Sequence, residues 1–298
     1  MLFKSLLTFI LVFPFISPAL SQSSLKFSDR LSCLLEAPES SAQLGKLICR
    51  GLNPHWEYTL LLSQGKKHLR FFYKNLNPKL DYLLFAVPYY WHGKINYTLK
   101  GENNSTLWEG NFYIKPFKGG VSKIEIKKNP NNDGKKNDLR KEISMQYSLI
   151  RRTLRKITFQ RFYEKRAIFP LEGKFRISSP FGVKRYVNGR FVGFHKGVDI
   201  AAPYGTPVRA SLSGKIVLAR KLILTGNTVI IDHGEGLMTL YAHLSKIFVK
   251  KGEFVRQGQN IGKVGSTGRS TGPHLHFGVY LRDIAVDPLQ FFKFELKP

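Results

Sequence analysis

Residues 227–244 read NTVIIDHGEGLMTLYAHL. Two apolar runs, 229–231 and 237–244, flank the turn formers DHGEG at 232–236, and neither run repeats at the three- and four-residue spacing of a helix. The pattern is that of two strands joined by a hairpin turn, with His233 read as a structural residue of that turn. Outward from the hairpin the texture holds: TPVRASLSGKIVLA at 206–219 alternates in the same way, and Gly-rich β-type sequence runs from about residue 170 to 298. A second all-β unit is therefore expected over 170–298. It contains five of the eight histidines (His195, His233, His243, His274 and His276), which makes it the place to look for chemistry.

Upstream, 25–116 carries short alternating runs such as KLICRGL, YTLLLSQG and YLLFAVPYYW, separated by GLNP, NLNP and GENN. Strands at this spacing predict a small β-sandwich over 22–116, immunoglobulin-like in the first instance. Its histidines His55, His68 and His92 are scattered, so the unit reads as a binding or spacing module. Between the two β units, KKNPNNDGKKND at 127–138 marks a linker. Asp138 offers an N-cap, and Leu139, Ile143, Tyr147, Ile150, Leu154 and Ile157 follow as one apolar stripe. The segment 117–169 is thus expected to be a basic linker with an amphipathic helix. Over 116–166 there are 15 Lys/Arg against 5 Asp/Glu. Such a helix can face an anionic wall or membrane surface, or simply pack on a neighbouring domain with its charges in water.

The first residues, MLFKSLLTFILVFPFISPALSQSS, place Lys4 before an apolar run at 6–16 and a small-x-small site at 19–21. This is the pattern of a signal peptide over 1–21, which implies export to the periplasm, cell envelope or exterior. A membrane anchor is the alternative, but the run is short and Pro14 and Pro18 interrupt it. The two cysteines, Cys33 and Cys49, can close one small loop in an oxidising compartment. The net charge of +27 favours polyanions. Export and the lack of a nucleic-acid motif argue against nucleic acid and for anionic envelope polymers. The oligomeric state is left open.

HKGVD at 195–199 and GPHLHF at 272–277 lie almost eighty residues apart. On a fully extended strand His195 and Asp199 would be separated by about 13 Å, too far for one metal, so a bend at Gly197 is required. His274 and His276 share a strand face about 6.6 Å apart. These residue types suit zinc, whose catalytic sites take three protein ligands and leave one position open. His243, in LYAHLS, is the natural additional member for proton transfer. Each motif alone is weak. In order, SSPFGVKR, GFHKGVDIAAPYGTPVRAS, GNTVIIDHGEGLMTLYAHLS and GSTGRSTGPHLHFGVY resemble the lysostaphin/LytM-type zinc metallopeptidases of bacterial cell walls over about residues 175–290.

The resemblance implies a compact, mostly antiparallel β-domain with a zinc groove, the ion held by His195, Asp199 and His276, and His243 and His274 assisting. It implies an endopeptidase that hydrolyses peptide stems or cross-links of peptidoglycan by metal-activated water. Relatives that have lost ligands act instead as non-catalytic activators of other wall hydrolases, but all five polar residues are present here. Lys184 followed by Arg185 stands where the family often has an arginine after FG, which leaves the basic contact at that point open.

Overall fold

Short alternating strands bury one face each, so they gain stability only by stacking as sheets. The computed structural model describes residues 31–74, 76, 81–124, 133–163, 166–173 and 175–296; the expected signal peptide lies outside them. In the N-terminal region, β1 (Ser32–Glu36), β2 (Leu44–Arg50), β3 (Tyr58–Gln64), β4 (Lys67–Tyr73), β5 (Asp81–Ala86), β6 (Gly93–Lys100) and β7 (Thr106–Ile114) form two antiparallel sheets. Their orders are β1-β2-β5 and β4-β3-β6-β7. β6 shows the sequence cause directly: Ile95, Tyr97 and Leu99 are buried while Lys94 and Asn96 face out. The sheets meet through Phe85 and Phe112, with ring centroids 5.9 Å apart. In the immunoglobulin constant type the fourth strand joins the sheet of the first, second and fifth. Here β4 pairs β3, so the seven strands divide three and four rather than four and three. Cys33 lies opposite Cys49 across β1 and β2, and the two are bridged. Closing a loop of that size restricts the unfolded chain by about 3 kcal/mol.

After β7 the segment read as linker contributes β8 (Val121–Ile124) and α1 (Asp133–Leu154). The helix starts five residues before the expected cap Asp138, and Ile157 lies beyond its end. The polar first turn carries no apolar periodicity from which that start could be read. Ile143 is half-buried, while half-buried Ile150 and buried Leu154 pack with Leu218, Leu222 and Met238. Leu139 and Tyr147 remain exposed, at 47% and 56%. Arg151 of the helix and Arg155 just beyond its end both reach Asp283, at 2.9 and 3.0 Å.

The C-terminal region follows as β9 (Arg176–Ser179), β10 (Lys184–Val187), β11 (Arg190–Phe194), β12 (Val198–Ala201), β13 (Pro207–Arg209), β14 (Gly214–Leu222), β15 (Gly226–Asp232) and β16 (Leu237–Leu244). Then come β17 (Lys246–Ile247), β18 (Phe254–Val255), β19 (Asn260–Lys263), β20 (His274–Leu281), β21 (Ile284–Val286) and α2 (Pro288–Phe291). The main sheet runs β18-β14-β15-β16-β20-β12-β9, with β21 beside β20. β16 is buried along its whole length because both faces are covered. Leu237, Tyr241 and Leu244 enter the main core, while Met238, Leu240 and Ala242 meet the cluster beneath α1. This explains the nearly continuous apolar run at 237–244.

The segments before the C-terminal region also contact it, through a separate sheet ordered β11-β10-β8. β8 pairs in parallel with β10, Lys184 N donates to Gly120 O at 2.8 Å, and Phe117 stacks edge-on to Phe181 at 5.4 Å. Further along, Arg161 bridges Asp81 of β5 and Glu235 of the β15–β16 turn, at 2.9 and 2.8 Å.

Candidate metal centre

Antiparallel pairing between β12 and β20 sets Asp199 directly opposite His276, and Ala201 opposite His274. Opposed residues on one sheet face have Cβ atoms about 5 Å apart, so the register alone brings Asp199 and His276 together. His274, two residues from His276, lies on the same face, as the H-x-H spacing predicts.

His195 is not on a strand with Asp199. It sits in the break between β11 and β12, where the chain bends at Gly197. Its N–H donates to Val183 O at 2.9 Å and its carbonyl accepts from Gly182 N at 2.8 Å. Gly197 also has a second role: a Cβ there would collide with the Phe277 carbonyl and lie 2.9 Å from two atoms of the His276 ring. The absence of a side chain is what lets His276 approach.

The donor atoms converge tightly. His195 Nε2 is 3.0 Å from Asp199 Oδ1 and 3.1 Å from His276 Nδ1, and His276 Nδ1 is 2.8 Å from Asp199 Oδ1. On the far side of its ring, His195 Nδ1 faces Pro180 O at 2.8 Å. A carbonyl only accepts, so Nδ1 carries the proton, and Nε2 of the neutral ring presents a bare lone pair to a carboxylate oxygen. In that tautomer acceptor would face acceptor, and either a proton on Nε2, which then donates to Asp199, or a cation in its place relieves the conflict. Two imidazoles and one carboxylate are a donor set zinc accepts. Edges of a tetrahedron with zinc–nitrogen distances near 2.0 Å would be about 3.3 Å, close to the separations observed. The residues present fit the metal. Burial alone would raise the Asp199 pKa. Hydrogen bonds from His195 and His276, with the charge those rings carry when protonated, outweigh burial and hold the carboxyl well below its usual range.

His243 and His274 flank this group. His243 ends β16 in the left-handed region, φ 60°, a conformation that costs a non-glycine residue about 1 kcal/mol or more. It is held there from two sides: its N–H donates to Thr225 O at 2.8 Å and its Nδ1 to Thr267 O at 2.7 Å. Burial pushes its pKa down to about 4, so the neutral ring offers a bare Nε2. His274 Nδ1 donates to Gly272 O at 2.8 Å, and its Nε2 is 3.9 Å from Asp199 Oδ1. The His243 and His274 rings are 4.7 Å apart. All five residues singled out in the sequence are therefore in one cluster. His233 is elsewhere, fully buried and bonded to Ser213 O and Thr239 Oγ1 at 2.8 Å each, as its structural reading requires.

Sequence reasoning left one neighbour unresolved. Arg185 on β10 reaches within 3.6 Å of Asp199 Oδ2. Of Lys184 and Arg185, it is the second whose side chain reaches the metal centre.

Comparison with known proteins bears on the same stretch. Residues 193–288 match the family model described as Peptidase family M23. The C-terminal region is an M23 peptidase domain. Relatives include peptidoglycan DD-endopeptidase ShyA of Vibrio cholerae, 44% identical over 134 residues, which is 45% of this chain and 30% of that protein. DD-carboxypeptidase/endopeptidase Mpg of Neisseria meningitidis is 49% identical over 114 residues, 38% of this chain and 26% of that protein. The chain thus spans less than a third of the length of these curated relatives. A crystal structure of an M23 peptidase candidate from Pseudomonas aeruginosa aligns with a TM-score of 0.61 at 26% identity, covering 86% of this chain and 96% of that one. The M23 match begins just before His195 and ends after β21, so β8, α1, β9 and β10 lie outside it. The segment from β9 to β10 nevertheless supplies Arg185 and, at Pro180 between the two strands, the carbonyl that orients His195.

Proposed function

We propose that the chain is an exported zinc metalloendopeptidase that hydrolyses the peptide stems or cross-links of bacterial peptidoglycan. The observation that carries this reading is the convergence of three donor atoms, from His195, Asp199 and His276, within 3.1 Å of one another. His195, Asp199 and His276 would hold the ion. Zinc bound there supplies Lewis acidity toward a carbonyl oxygen and toward water. The remaining work falls to the chain. His243, kept neutral by burial, presents Nε2 as a proton acceptor beside the site. His274, its Nδ1–H tied to Gly272 O, presents a second Nε2 on the same side and can hold or return a proton. The Thr267 and Gly272 carbonyls fix both tautomers, so neither ring must reorganise before reaction. Arg185, beside Asp199, keeps that carboxylate oriented.

The substrate class rests on the names of the relatives and on the charge of +27, which suits a wall polymer bearing carboxylates. Export is supported by the Cys33–Cys49 bridge, which persists in oxidising compartments. Anionic envelope polymers or a membrane surface are proposed to meet the exposed basic face of α1. Incubating the zinc-loaded protein with purified cross-linked muropeptides and identifying the fragments by mass spectrometry tests the reading. New amine and carboxyl termini within the peptide are expected; intact muropeptides would refute it.

A further inference from the structure

The main sheet continues past the metal centre to its edge. There β9 pairs with β12, and Arg176 lies opposite Ala201, which in turn lies opposite His274. The three residues form one row across three strands. The row beside it holds His276, Asp199 and Ser179. Residues opposed in register share a face, and so do residues two apart. Arg176 therefore stands on the face that carries the metal-centre side chains, with its backbone two strands, or about 10 Å, from that of His274. The opposite face of the same strands holds Ile200 and Leu275, both fully buried, with Ile177 packed against the core.

A groove opens on this row. Its lining is Phe175, Arg176, Ala201, Ala202, Pro203 and Pro273. Pro273 immediately precedes His274, so the groove runs up to the histidine pair. Among the described residues that line it, five are apolar and Arg176 supplies the only charge. Other arginines nearby are engaged: Arg209 with Glu172, Arg166 with Glu295, and Arg185 beside Asp199. Among the described residues Arg176 has no ion-pair or hydrogen-bond partner, although carboxylates engage the others. Its β9 position is also determined by a bulge. The register slips between Asp199 and Ile200, so Ser178 is extra on β9, and its hydroxyl donates to Asp199 O at 3.1 Å. That slip keeps Ser179 beside His195, with Oγ 3.2 Å from Nδ1, while Arg176 falls in line with His274. Bulges recur where a strand must re-aim side chains near a site.

We propose that Arg176 is a substrate-binding residue that recognises a carboxylate of the peptide, with the reacting bond over the metal centre and the carboxylate about two strand widths away. The proposal rests on the peptidoglycan-peptide reading above and adds which part of the peptide the groove selects. A guanidinium suits that role because its planar fork takes both carboxylate oxygens.

The test uses the zinc-loaded full chain and two cross-linked stem peptides that differ only in whether their free carboxylate is amidated. Binding and turnover are both measured. For the wild type, tighter binding of the carboxylate peptide is expected. Arg176→Gln should weaken that binding, and raise KM, by about 10- to 100-fold, the range of a hydrogen bond to a charged group. The amidated peptide should bind the variant and the wild type alike, with kcat within about twofold and zinc content unchanged. Arg176→Lys, which keeps the charge and loses the fork, should fall between. If Arg176→Gln binds both peptides as the wild type does, or loses both equally, the assignment is overturned; so it is if the wild type binds neither. Binding that discriminates through Arg176 without any cleavage would uphold the assignment and refute the hydrolase reading instead.

Discussion

Gly197→Ala adds a single methyl group at a point where the structure leaves no room for one. Gly197 has a negative φ, so alanine brings no backbone strain and the effect is purely steric. The new Cβ would lie 2.9 Å from His276 Cε1 and Nε2 and closer still to the Phe277 carbonyl. Carbon contacts settle at about 3.5 Å or more, so the ring must retreat by about 0.6 Å, and the nearer Phe277 carbonyl is cleared only if the two backbones also part. The Phe277 backbone is held in the middle of the main sheet between β12 and β16, whereas His276 can turn about its side-chain bonds. Functional constellations tolerate about 0.5 Å of misplacement, and overpacking of this kind costs about 1–3 kcal/mol. If that strain falls on the bound state, zinc affinity drops by about 5- to 150-fold, at 1.4 kcal/mol per factor of ten. Competition against a chromogenic chelator measures it, with thermal unfolding of the metal-free protein run in parallel to locate any strain carried by the fold. Unchanged zinc affinity together with an unchanged unfolding temperature would refute the claim that Gly197 makes room for His276.

Three further outcomes are expected. His243→Ala and His274→Ala should keep zinc and lose about 10²–10⁴ in rate, while His276→Ala should lose metal and activity together; elemental analysis and cleavage on the same folded preparations would expose exchanged roles. His233 is buried with its pKa lowered to about 4, below the 6.5 of an unfolded chain. Its contribution, about 3 kcal/mol, is present above pH 6.5 and lost as pH falls toward 4, because the unfolded chain takes up the proton first. Denaturant titration of wild type against His233→Gln across that window should show the variant with the shallower decline; parallel curves would count against it. Neutralising Arg151, Arg152, Arg155 and Lys156 together should weaken salt-sensitive binding to intact walls more than turnover of soluble peptides, chiefly through Arg152 and Lys156, since the other two already hold Asp283. Equal losses on both substrates would give the quartet a structural role.

The hairpin at 227–244 was legible because its strands are bounded by an unmistakable turn and its apolar content leaves no helical period. The five polar residues of the centre were legible because their types and order survive in one dimension. The contact of Arg185 was left open, and the position of Arg176 in line with His274 was not read at all, because both depend on which strand pairs with which. The order β20-β12-β9 and the parallel pairing of β8 with β10 are non-local and leave no periodic trace. Gly197 was read as a bend, which it is, but its close contact with His276 comes from a residue almost eighty positions away. The start of α1 was missed because Asp133 to Asn137 offers polar residues and a glycine, with nothing to mark a buried face.

The account stands or falls on whether His195, Asp199 and His276 hold one zinc that the reaction needs. The most direct measurement is the zinc content of the purified full chain and of Asp199→Ala, determined by elemental analysis beside muropeptide cleavage on the same samples. About one zinc per chain with cleavage in the wild type, and neither in a folded Asp199→Ala, is the expected result. A variant that keeps its full zinc, or a wild type that cleaves with no metal bound, would contradict it.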